Sequence, residues 1–391
     1  MSNSSAVTRI AILGSTGSVG RSTLEVVSRH PERFQVRALT ANRSVDLLRE
    51  QAGRHGARSV VVADPESFRT LDPRPSGWNG GREALLEIVR DPDIDVVVNA
   101  LVGFAGLEPT LEALRAGKRV ALANKESLVA GGDLVMAARE EGGGELVPVD
   151  SEHSAILQCM NGGERRTVSR LLLTASGGPF RGWDASRLGS VRPGDALKHP
   201  TWSMGAKISI DSATLANKAL EVIEAHVLYR IPYESIDVVV HPQSVIHSMV
   251  EFIDGSVMAQ MGFPTMELPI LYALSFPERL DDRSLRTFDA VRSSPLTFES
   301  IDHAAFPMFG VGTDAGRKGG LAPAIFNAAN EIAVEAFLTE RIGFPAMAEA
   351  VHDAIEGLVG TSDDPISLVG VQESDREARR FVHDWISRHD S

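Results

Sequence analysis

Two acidic residues near the middle of the chain, Asp150 and Glu152, are spaced so that they could act together. The residues before them, 147–149, favour an extended chain, and on a strand the i, i+2 spacing places both side chains on one face. Two adjacent carboxylates repel each other unless a cation lies between them, and Mg²⁺ or Mn²⁺ prefers oxygen ligands. The pair therefore indicates a divalent-metal site, and the alternative is the solvated end of a strand.

A third carboxylate, Glu221, is predicted on a helix over residues 213–229. Asn217 and Lys218 precede it by four and three residues, so all three side chains share one side of that helix. In one interpretation, Lys218 and Glu221 form a surface salt bridge and have no further role, and the pair then contributes a few tenths of a kcal/mol to the stability of the helix. Alternatively, Glu221 supplies the third oxygen ligand that the acidic pair lacks.

A glycine-rich loop near the N-terminus has the context of a nucleotide-binding site. The apolar residues 9–13 predict a buried parallel strand, and a helix is predicted over residues 21–29. Between them, Gly14, Gly17 and Gly20 form a variant of the dinucleotide fingerprint. Such a loop brings the backbone and the N–H groups of a helix N-terminus close to a pyrophosphate, whereas the alternative is a structural turn.

The second strand is predicted over 34–40, and the residues that follow it indicate which dinucleotide is bound. An NAD site usually has an acid at this point to hold the ribose hydroxyls, but residues 41–44 contain none and include Arg43. The rigid fork of an arginine pairs well with phosphate oxygens, so NADP is predicted. In the alternative interpretation Arg43 is a solvated residue at the start of a helix.

Strands and helices alternate through the first 150 residues, which predicts an α/β fold with a Rossmann-like doubly wound sheet. Further strands are predicted over 59–63, 95–100 and 120–123, with helices over 82–90, 109–117 and 128–141. Asn124, Lys125 and Glu126 follow a buried strand, at the edge where an open α/β sheet binds its ligands. These three residues are therefore candidate ligand contacts.

After His153 the pattern changes to that of an α+β catalytic and dimerisation domain. A helix over 155–160 and a strand over 170–175 lead to Ser176 and two glycines, which could cradle a phosphate or form an ordinary turn. The stretch 181–205 lacks periodic apolar residues and ends close after Trp202. We expect it to be a mobile active-site lid with little burial in the core.

The last third of the chain is predicted to contain a sheet, a linker and helices. Strands over 237–240 and 256–261 could pair in an open sheet whose exposed edge or face favours a homodimer. Helices over 324–340, 344–358 and 374–387 predict a C-terminal helical bundle. The expected domains are a nucleotide-binding domain at 1–150, a catalytic and dimerisation domain at 151–276, a linker at 277–301 and the bundle at 302–391.

Composition excludes several classes of partner. The 391 residues carry a net charge of −13, which argues against nucleic acid or an anionic membrane but allows a small anionic substrate in a local basic pocket. Cys159 is the single cysteine, so no internal disulfide can form and a reducing compartment is expected. No signal peptide and no apolar run of about 20 residues is apparent, so we expect a cytoplasmic protein.

Six segments together resemble the 1-deoxy-D-xylulose 5-phosphate reductoisomerase family of the non-mevalonate isoprenoid pathway. They stand in the family's order and span nearly the whole chain: 14–20, 123–127, 149–153, 176–180, 199–205 and 217–221. The resemblance implies an NADPH-dependent homodimer with Mg²⁺ or Mn²⁺, and Co²⁺ as a further candidate. It also implies a V-shaped subunit and conversion of the ketose phosphate to 2-C-methyl-D-erythritol 4-phosphate. Residues 41–44 depart mildly from the family pattern, with the phosphate-reading cation kept as Arg43.

The resemblance assigns roles to individual residues. It implies a metal held by Asp150, Glu152 and Glu221, with Lys125 and Ser151 at the reacting end of the substrate. His153 is implied as a further catalytic residue. The implied phosphate contacts are Ser176, Ser212, Asn217 and Lys218, with His199 nearby and Trp202 closing over the substrate. The implied cofactor contacts are Gly14, Thr16, Gly17, Ser18, Val19, Asn42, Arg43, Ser44, Asn124, Glu126 and Gly205.

Two other functions compete with this interpretation. A simple NADP-dependent dehydrogenase would leave the three carboxylates without a purpose, because hydride transfer alone needs no metal site. A regulator that only senses NADP would need neither metal ligands nor a tryptophan-bearing lid.

Overall fold

The computed structural model describes residues 7–160, 165–200, 202, 204–360 and 366–389. The elements up to the middle of the chain are β1 (Thr8–Leu13), α1 (Ser18–Arg29), β2 (Phe34–Ala41), α2 (Val45–His55), β3 (Ser59–Val62), α3 (Pro65–Arg69), β4 (Trp78–Gly80), α4 (Gly81–Arg90), β5 (Val96–Asn99), α5 (Leu107–Arg115), β6 (Arg119–Leu122), α6 (Glu126–Gly142), β7 (Glu145–Pro148) and α7 (Ser151–Met160).

The remaining elements are β8 (Val168–Ala175), α8 (Ala185–Leu188), α9 (Pro193–Ala196), α10 (Ala206–Thr214), α11 (Ala216–Tyr229), β9 (Ile236–Val240), β10 (Ile246–Phe252), β11 (Val257–Met261), α12 (Glu267–Ser275), α13 (Pro307–Lys318), α14 (Ala322–Leu338), α15 (Ala346–Leu358) and α16 (Leu368–His389). In the described ranges, no helix is both long enough and apolar enough to cross a membrane.

The chain forms two compact units that differ from a simple division by sequence. The first unit consists of Met1–Ser127, Val135–Ser154 and Thr265–Leu285. The second consists of Leu128–Leu134, Ala155–Pro264 and Arg286–Ser391. The predicted boundary at 276 placed α12 in the catalytic domain, whereas α12 belongs to the first unit.

The first unit is built on a parallel sheet with the strand order β4-β3-β2-β1-β5-β6-β7. This confirms the predicted doubly wound sheet. The short strand β4 was not predicted, because three residues after a loop rich in proline and glycine carry no strand pattern. β1 lies between β2 and β5, so the direction of winding reverses there and the switch point lies between β1 and β5.

Helix α12 returns late in the chain to pack on the first unit. It lies against α1, β6 and β7, and its residues from Pro269 to Ser275 are buried. Arg29, at the end of α1, holds this segment through ion pairs of 2.7 Å to Glu267 and 2.8 Å to Asp282. The linker was predicted over 277–301 because that stretch contains Pro, Arg and Asp, but Asp282 within it is paired with Arg29 of α1.

The predicted strand through the acidic pair was wrong. β7 ends at Pro148, and α7 begins at Ser151 with the Ser154 N–H donating to the Asp150 carbonyl at 2.8 Å. Asp150 therefore immediately precedes a helix, and Glu152 lies in its first turn. Aspartate is a preferred residue at this position, a signal that the β-favouring residues before it obscured.

The second unit contains a four-stranded sheet in the order β11-β10-β8-β9. β10 is antiparallel to both β8 and β11, and β8 is parallel to β9. β10 was not predicted; it mixes histidine, serine and glutamate with apolar residues and so has no clean alternation. β11 is an edge strand with Val257 and Met258 about half exposed.

Helices cover the remaining part of this unit and bury Phe326 and Phe337 at their centre. The bundle includes α13, which was not predicted because its glycines disfavour a helix. Those glycines permit close packing, since a Cβ on Gly312 would lie 2.6 Å from the Cβ of Ala219 on α11. A few predicted positions, among them 361–365, lie outside the described residues.

Candidate active site

The glycine-rich loop lies at the switch point of the parallel sheet. Gly14 has a φ of +78°, and a Cβ there would lie 2.7 Å from the carbonyl oxygen of Ala100, just beyond β5. Gly17 and Ser18 are exposed at the start of α1, where Gly17 precedes the first helical residue. Only glycine fits at residue 14, and the exposed helix N-terminus suits a pyrophosphate. These features fit a dinucleotide.

Ser15 and Gln51 support this loop and were not predicted. The buried Ser15 hydroxyl donates to the Gln51 side-chain oxygen at 2.8 Å, and the Gln51 amide donates to the Ser15 carbonyl at 3.0 Å. The two hydrogen bonds fix the loop against α2. The two residues are 36 positions apart, so no local sequence pattern predicts their contact.

Asn42, Arg43 and Ser44 are exposed just beyond β2, as expected for residues that contact the adenosine end of a cofactor. The Nε atom of Arg43 lies 3.5 Å from a carboxylate oxygen of Asp64, which follows β3. Hydrogen bonds from Ser67, followed by the charge of Arg43, lower the pKa of Asp64. Arg43 therefore stands beside a fixed carboxylate rather than in isolation.

The side chains of Asn124 and Glu126 are occupied within the protein. Asn124 is buried and donates to the carbonyls of Leu101 and Gly103 at 3.0 and 2.9 Å. Glu126 accepts from the Asn124 amide and from the Gly103 N–H. These contacts join the end of β6 to the loop after β5, so both residues shape the nucleotide crevice, and their contact with a cofactor stays a prediction.

Lys125 and Asp150 form an ion pair at the carboxyl ends of neighbouring strands β6 and β7. The buried ring of His153 lies with Nδ1 3.8 Å from the other Asp150 oxygen. Burial alone would raise the pKa of Asp150, but the Lys125 ammonium and then His153 outweigh it, and the pKa lies well below its ordinary value. Asp150 is thus an ionised, largely buried carboxylate.

Ser151 and Glu152 extend this group of oxygen atoms. The Ser151 hydroxyl donates to a Glu152 carboxylate oxygen at 2.6 Å, and both side chains are half-buried at the start of α7. A carboxylate, a hydroxyl and an ionised aspartate offer oxygen donors of the kind that Mg²⁺ and Mn²⁺ prefer. The donor set of the first unit therefore fits a hard divalent cation.

A second polar cluster lies in the second unit, around the loop that follows β8. The Nε2 atom of His199 lies 3.0 Å from the Ser176 hydroxyl, and the Trp202 N–H donates to His199 Nδ1 at 2.9 Å. Because Nδ1 accepts a hydrogen bond, the neutral ring carries its proton on Nε2 and donates it to Ser176. Burial lowers the pKa of His199, which favours this neutral form.

Helix α10 packs tightly against the same loop. Gly178 has a φ of +67°, and a Cβ there would lie 2.6 Å from the carbonyl oxygen of Ser212. α10 and α11 are separate helices because Leu215 takes a left-handed conformation with φ 62°. The prediction of one helix from 213 was therefore wrong, and the break brings Ser212 to the end of α10 just before Asn217.

Glu221 is buried beside Lys218 and Asn217, so a surface salt bridge is the wrong interpretation. The Lys218 ammonium and the Asn217 amide both contact the Glu221 carboxylate, and the ammonium also donates to the Thr174 carbonyl at 2.5 Å. A buried carboxylate is costly unless it is paired and hydrogen-bonded. Lys218 and Asn217 supply that pairing here, so Glu221 is a buried carboxylate in a fixed position and not a solvated surface acid.

The first part of the expected lid contains two short helices and few buried residues. Leu188 in α8, Ala196 in α9 and Val191 between them are buried, but most of residues 181–196 are exposed, so little of this stretch lies in the core, as expected. Leu197 is 41% exposed, and Gly205 is exposed where it precedes α10. The mobility of 181–205 stays a prediction, and residues 197–205 are the part of this lid candidate that leads into α10; Thr201 and Ser203 lie outside the described residues.

Together, the doubly wound sheet, the loop at its switch point and the buried carboxylates define a dinucleotide-binding protein of the Rossmann type. Three models of 1-deoxy-D-xylulose 5-phosphate reductoisomerase domains match residues 10–132, 146–229 and 261–381. The chain belongs to the 1-deoxy-D-xylulose 5-phosphate reductoisomerase family.

Relatives and solved structures agree with this assignment. The reductoisomerase of Chloroherpeton thalassium is 49% identical over 380 residues, covering 96% of this chain and 97% of that protein. The reductoisomerase of Zymomonas mobilis in complex with NADPH is 43% identical with a TM-score of 0.90, covering 97% and 99% of the two chains. A DOX-P reductoisomerase in complex with NADPH, fosmidomycin and magnesium is 38% identical with a TM-score of 0.92, covering 97% and 98%.

Proposed function

We propose that this protein converts 1-deoxy-D-xylulose 5-phosphate to 2-C-methyl-D-erythritol 4-phosphate with NADPH and a divalent cation. The observation that carries the proposal is the buried, hydrogen-bonded carboxylate of Glu221, which a simple dehydrogenase would not need. The loop at Gly14 supports a dinucleotide, and the 49% identity to a named reductoisomerase supports the reaction.

The metal and the cofactor supply the chemistry that side chains cannot. When bound, the cation is a Lewis acid for the substrate's carbonyl and adjacent hydroxyl oxygens, and NADPH is the hydride donor for a branched aldehyde. We assign Asp150, Glu152 and Glu221 as the residues that would hold the cation. The low pKa of Asp150 keeps its carboxylate ionised at neutral pH.

The other residues of the site bind and orient the substrate. Lys125 and Ser151 are assigned to its carbonyl–hydroxyl end, with His153 as the neighbour that helps keep Asp150 charged. Ser176, Ser212, Asn217 and Lys218 are assigned to the phosphate. The phosphate is remote from the bonds that change, so its binding energy can align the reacting end.

Three further assignments belong to this proposal. The cofactor contacts are the loop residues Gly14 and Thr16–Val19, residues 42–44 and 124, together with Glu126 and Gly205. The protein is a cytoplasmic homodimer that acts on a small sugar phosphate and binds neither nucleic acid nor membrane. We keep the functional division into a catalytic domain at 151–276, from which α12 is excluded, and a C-terminal bundle that begins at residue 302.

The decisive assay measures NADPH oxidation with the ketose phosphate, with and without Mg²⁺, and identifies the product by NMR. We expect metal-dependent oxidation and a branched product. An unbranched reduced product would favour a dehydrogenase. Binding of NADPH by a preparation that shows no turnover at any metal concentration would favour a regulator.

Trypsin should distinguish the two parts of the expected lid. Lys198 and Arg187 are both exposed, but Arg187 stacks on the Trp183 ring at 4.0 Å and lies next to the buried Leu188. With NADPH and Mn²⁺ present, we expect rapid cleavage after Lys198 that slows when fosmidomycin is added, and slow cleavage after Arg187 in both samples. Equal cleavage after Lys198 with and without fosmidomycin would indicate a rigid open cleft.

His199 should make substrate binding sensitive to acid. Protonation of Nδ1 removes the acceptor for the Trp202 N–H, so the KM for the ketose phosphate should rise as the pH falls below 6.5, the ordinary pKa of the ring. Since the folded-state pKa is lowered, the histidine's contribution to stability is present above that value and is lost as the pH falls through the folded pKa.

A His199→Gln variant separates this effect from ionisation of the substrate. The variant should keep only the part of the pH profile that comes from the phosphate group. If the KM rose equally in the two enzymes as the pH fell, His199 would not titrate in the pH range of the assay.

A further inference from the structure

A buried carboxylate immediately before Ser212 joins two elements of the second unit. Asp211, on α10, accepts hydrogen bonds from Lys207 Nζ at 2.7 Å and from Asn330 Nδ2 at 2.8 Å. Lys207 lies one turn away on the same helix, so its contact cannot fix α10 to anything else. Asn330 comes from α14, so this hydrogen bond links α10 to the helical bundle, in addition to the apolar packing of Ile210 and Ala213.

Asn330 has little reason to be polar apart from this contact. It is completely buried, on a helix whose neighbouring residues Phe326 and Ala329 belong to the apolar core. Among the described residues, its side-chain oxygen has no hydrogen-bond partner, so its amide is used for Asp211 alone. A polar group buried in this way costs about 1–3 kcal/mol, which indicates that the contact has a purpose.

Asn327 provides a natural comparison on the same helix. It is equally buried, but its amide donates to Glu331, four residues further along α14, at 3.0 Å. Its contact stabilises α14 and does not reach α10. Loss of either asparagine therefore removes a buried amide from the bundle, but of these two residues Asn330 is the one whose hydrogen bond reaches α10.

The position of α10 matters because of what lies at its two ends. The helix begins directly after the lid candidate 197–205, and near its other end Ser212 leaves no room for a Cβ on Gly178. Ser212 thus lies directly against the loop at Ser176, and the position of α10 sets the spacing between them. A contact that anchors α10 fixes that spacing.

We propose, on the basis of the function proposed above, that Asp211 and Asn330 are positioning residues for the substrate phosphate. Their hydrogen bond holds α10 against α14, so that Ser212 keeps its place opposite the loop at Ser176. The C-terminal bundle thereby acts on substrate affinity without touching the substrate.

The test compares Asn330→Ala with its matched control Asn327→Ala in the full-length protein. Small displacements of a binding group reduce affinity steeply, so Asn330→Ala should raise the KM for the ketose phosphate roughly tenfold, with kcat within about threefold of wild type. Asn327→Ala should leave KM unchanged, although both variants lower the Tm. NADPH affinity, read by fluorescence of the binary complex, should stay the same in both.

An exchange of the two side chains tests the hydrogen bond itself. In the double variant Asp211→Asn with Asn330→Asp, the amide donor lies on α10 and the carboxylate on α14, so the hydrogen bond can form again. The KM of this double variant should be lower than that of Asn330→Ala and closer to that of the wild type. A double variant no better than Asn330→Ala, or equal KM values for Asn330→Ala and Asn327→Ala, would overturn the proposal.

Titration calorimetry with inorganic phosphate supplies a readout that needs no turnover. We expect weaker phosphate binding by Asn330→Ala than by Asn327→Ala and wild type. If the wild-type protein failed to convert the ketose phosphate, the function proposed above would be wrong, yet this comparison would still decide whether the bundle controls an anion site. Equal phosphate affinity in all three proteins contradicts that role.

Discussion

Glu221→Gln should reduce kcat/KM on the order of 100-fold or more while leaving the fold and NADPH binding intact. The substitution removes one of three proposed anionic ligands, and Lewis-acid stabilisation contributes several kcal/mol, each 1.36 kcal/mol being tenfold in rate. It also leaves the buried Lys218 ammonium beside a neutral amide. Steady-state rates measured across a Mn²⁺ titration should show a higher metal requirement.

Glu234→Gln is the matched control for this experiment, because Glu234 is an exposed acid and the change in charge is the same. It should behave as the wild type. Near-complete turnover by Glu221→Gln at limiting Mn²⁺ would mean that Glu221 is not a ligand, and the proposed metal site would have to be rebuilt around other residues.

Arg43→Asp should weaken NADPH binding sharply and shift preference toward NADH. Loss of a charge-assisted hydrogen bond costs about 1.5–3 kcal/mol, or roughly 10- to 100-fold, and repulsion from the 2′-phosphate adds to that. Asp64, 3.5 Å from the guanidinium, would add a second negative charge once Arg43 is gone. The measurement is the ratio of kcat/KM for the two cofactors.

Two further variants make this result interpretable. Arg43→Ser removes the cation without adding an acid and should show a smaller shift in the same direction. Arg292→Asp makes the same change in total charge at an exposed residue of the other unit and should change neither constant. If Arg43→Asp left both Michaelis constants unchanged, the arginine would point away from the cofactor.

Sequence patterns were sufficient for the parts of the fold that repeat a strong local signal. The parallel sheet followed from buried apolar runs, and Gly14 was recognised because its loop lies between a strand and a helix. The patterns failed where tertiary packing outweighed local preference. α13 is a helix in spite of its glycines because those glycines allow close contact with α11.

The candidate site was predictable in its residue types but not in its geometry. Asp150 and Glu152 were predicted as a pair on a strand, whereas they lie at the start of α7. Burial of Glu221 excluded a surface salt bridge, which its spacing to Lys218 alone could not do, and its role as a metal ligand stays a prediction. Contacts such as Asp211 with Asn330 join residues 119 positions apart, and one sequence carries no signal for them.

The late return of α12 to the first unit affects how this protein is made. On the ribosome, the apolar surfaces of α1, β6 and β7 stay uncovered after residue 150 has been synthesised, until the segment Thr265–Leu285 emerges. At ordinary elongation rates that interval lasts on the order of ten seconds, during which the nascent chain is exposed to aggregation and to chaperones. A recombinant nucleotide-binding fragment should therefore carry residues 265–285 as well, joined through a flexible linker.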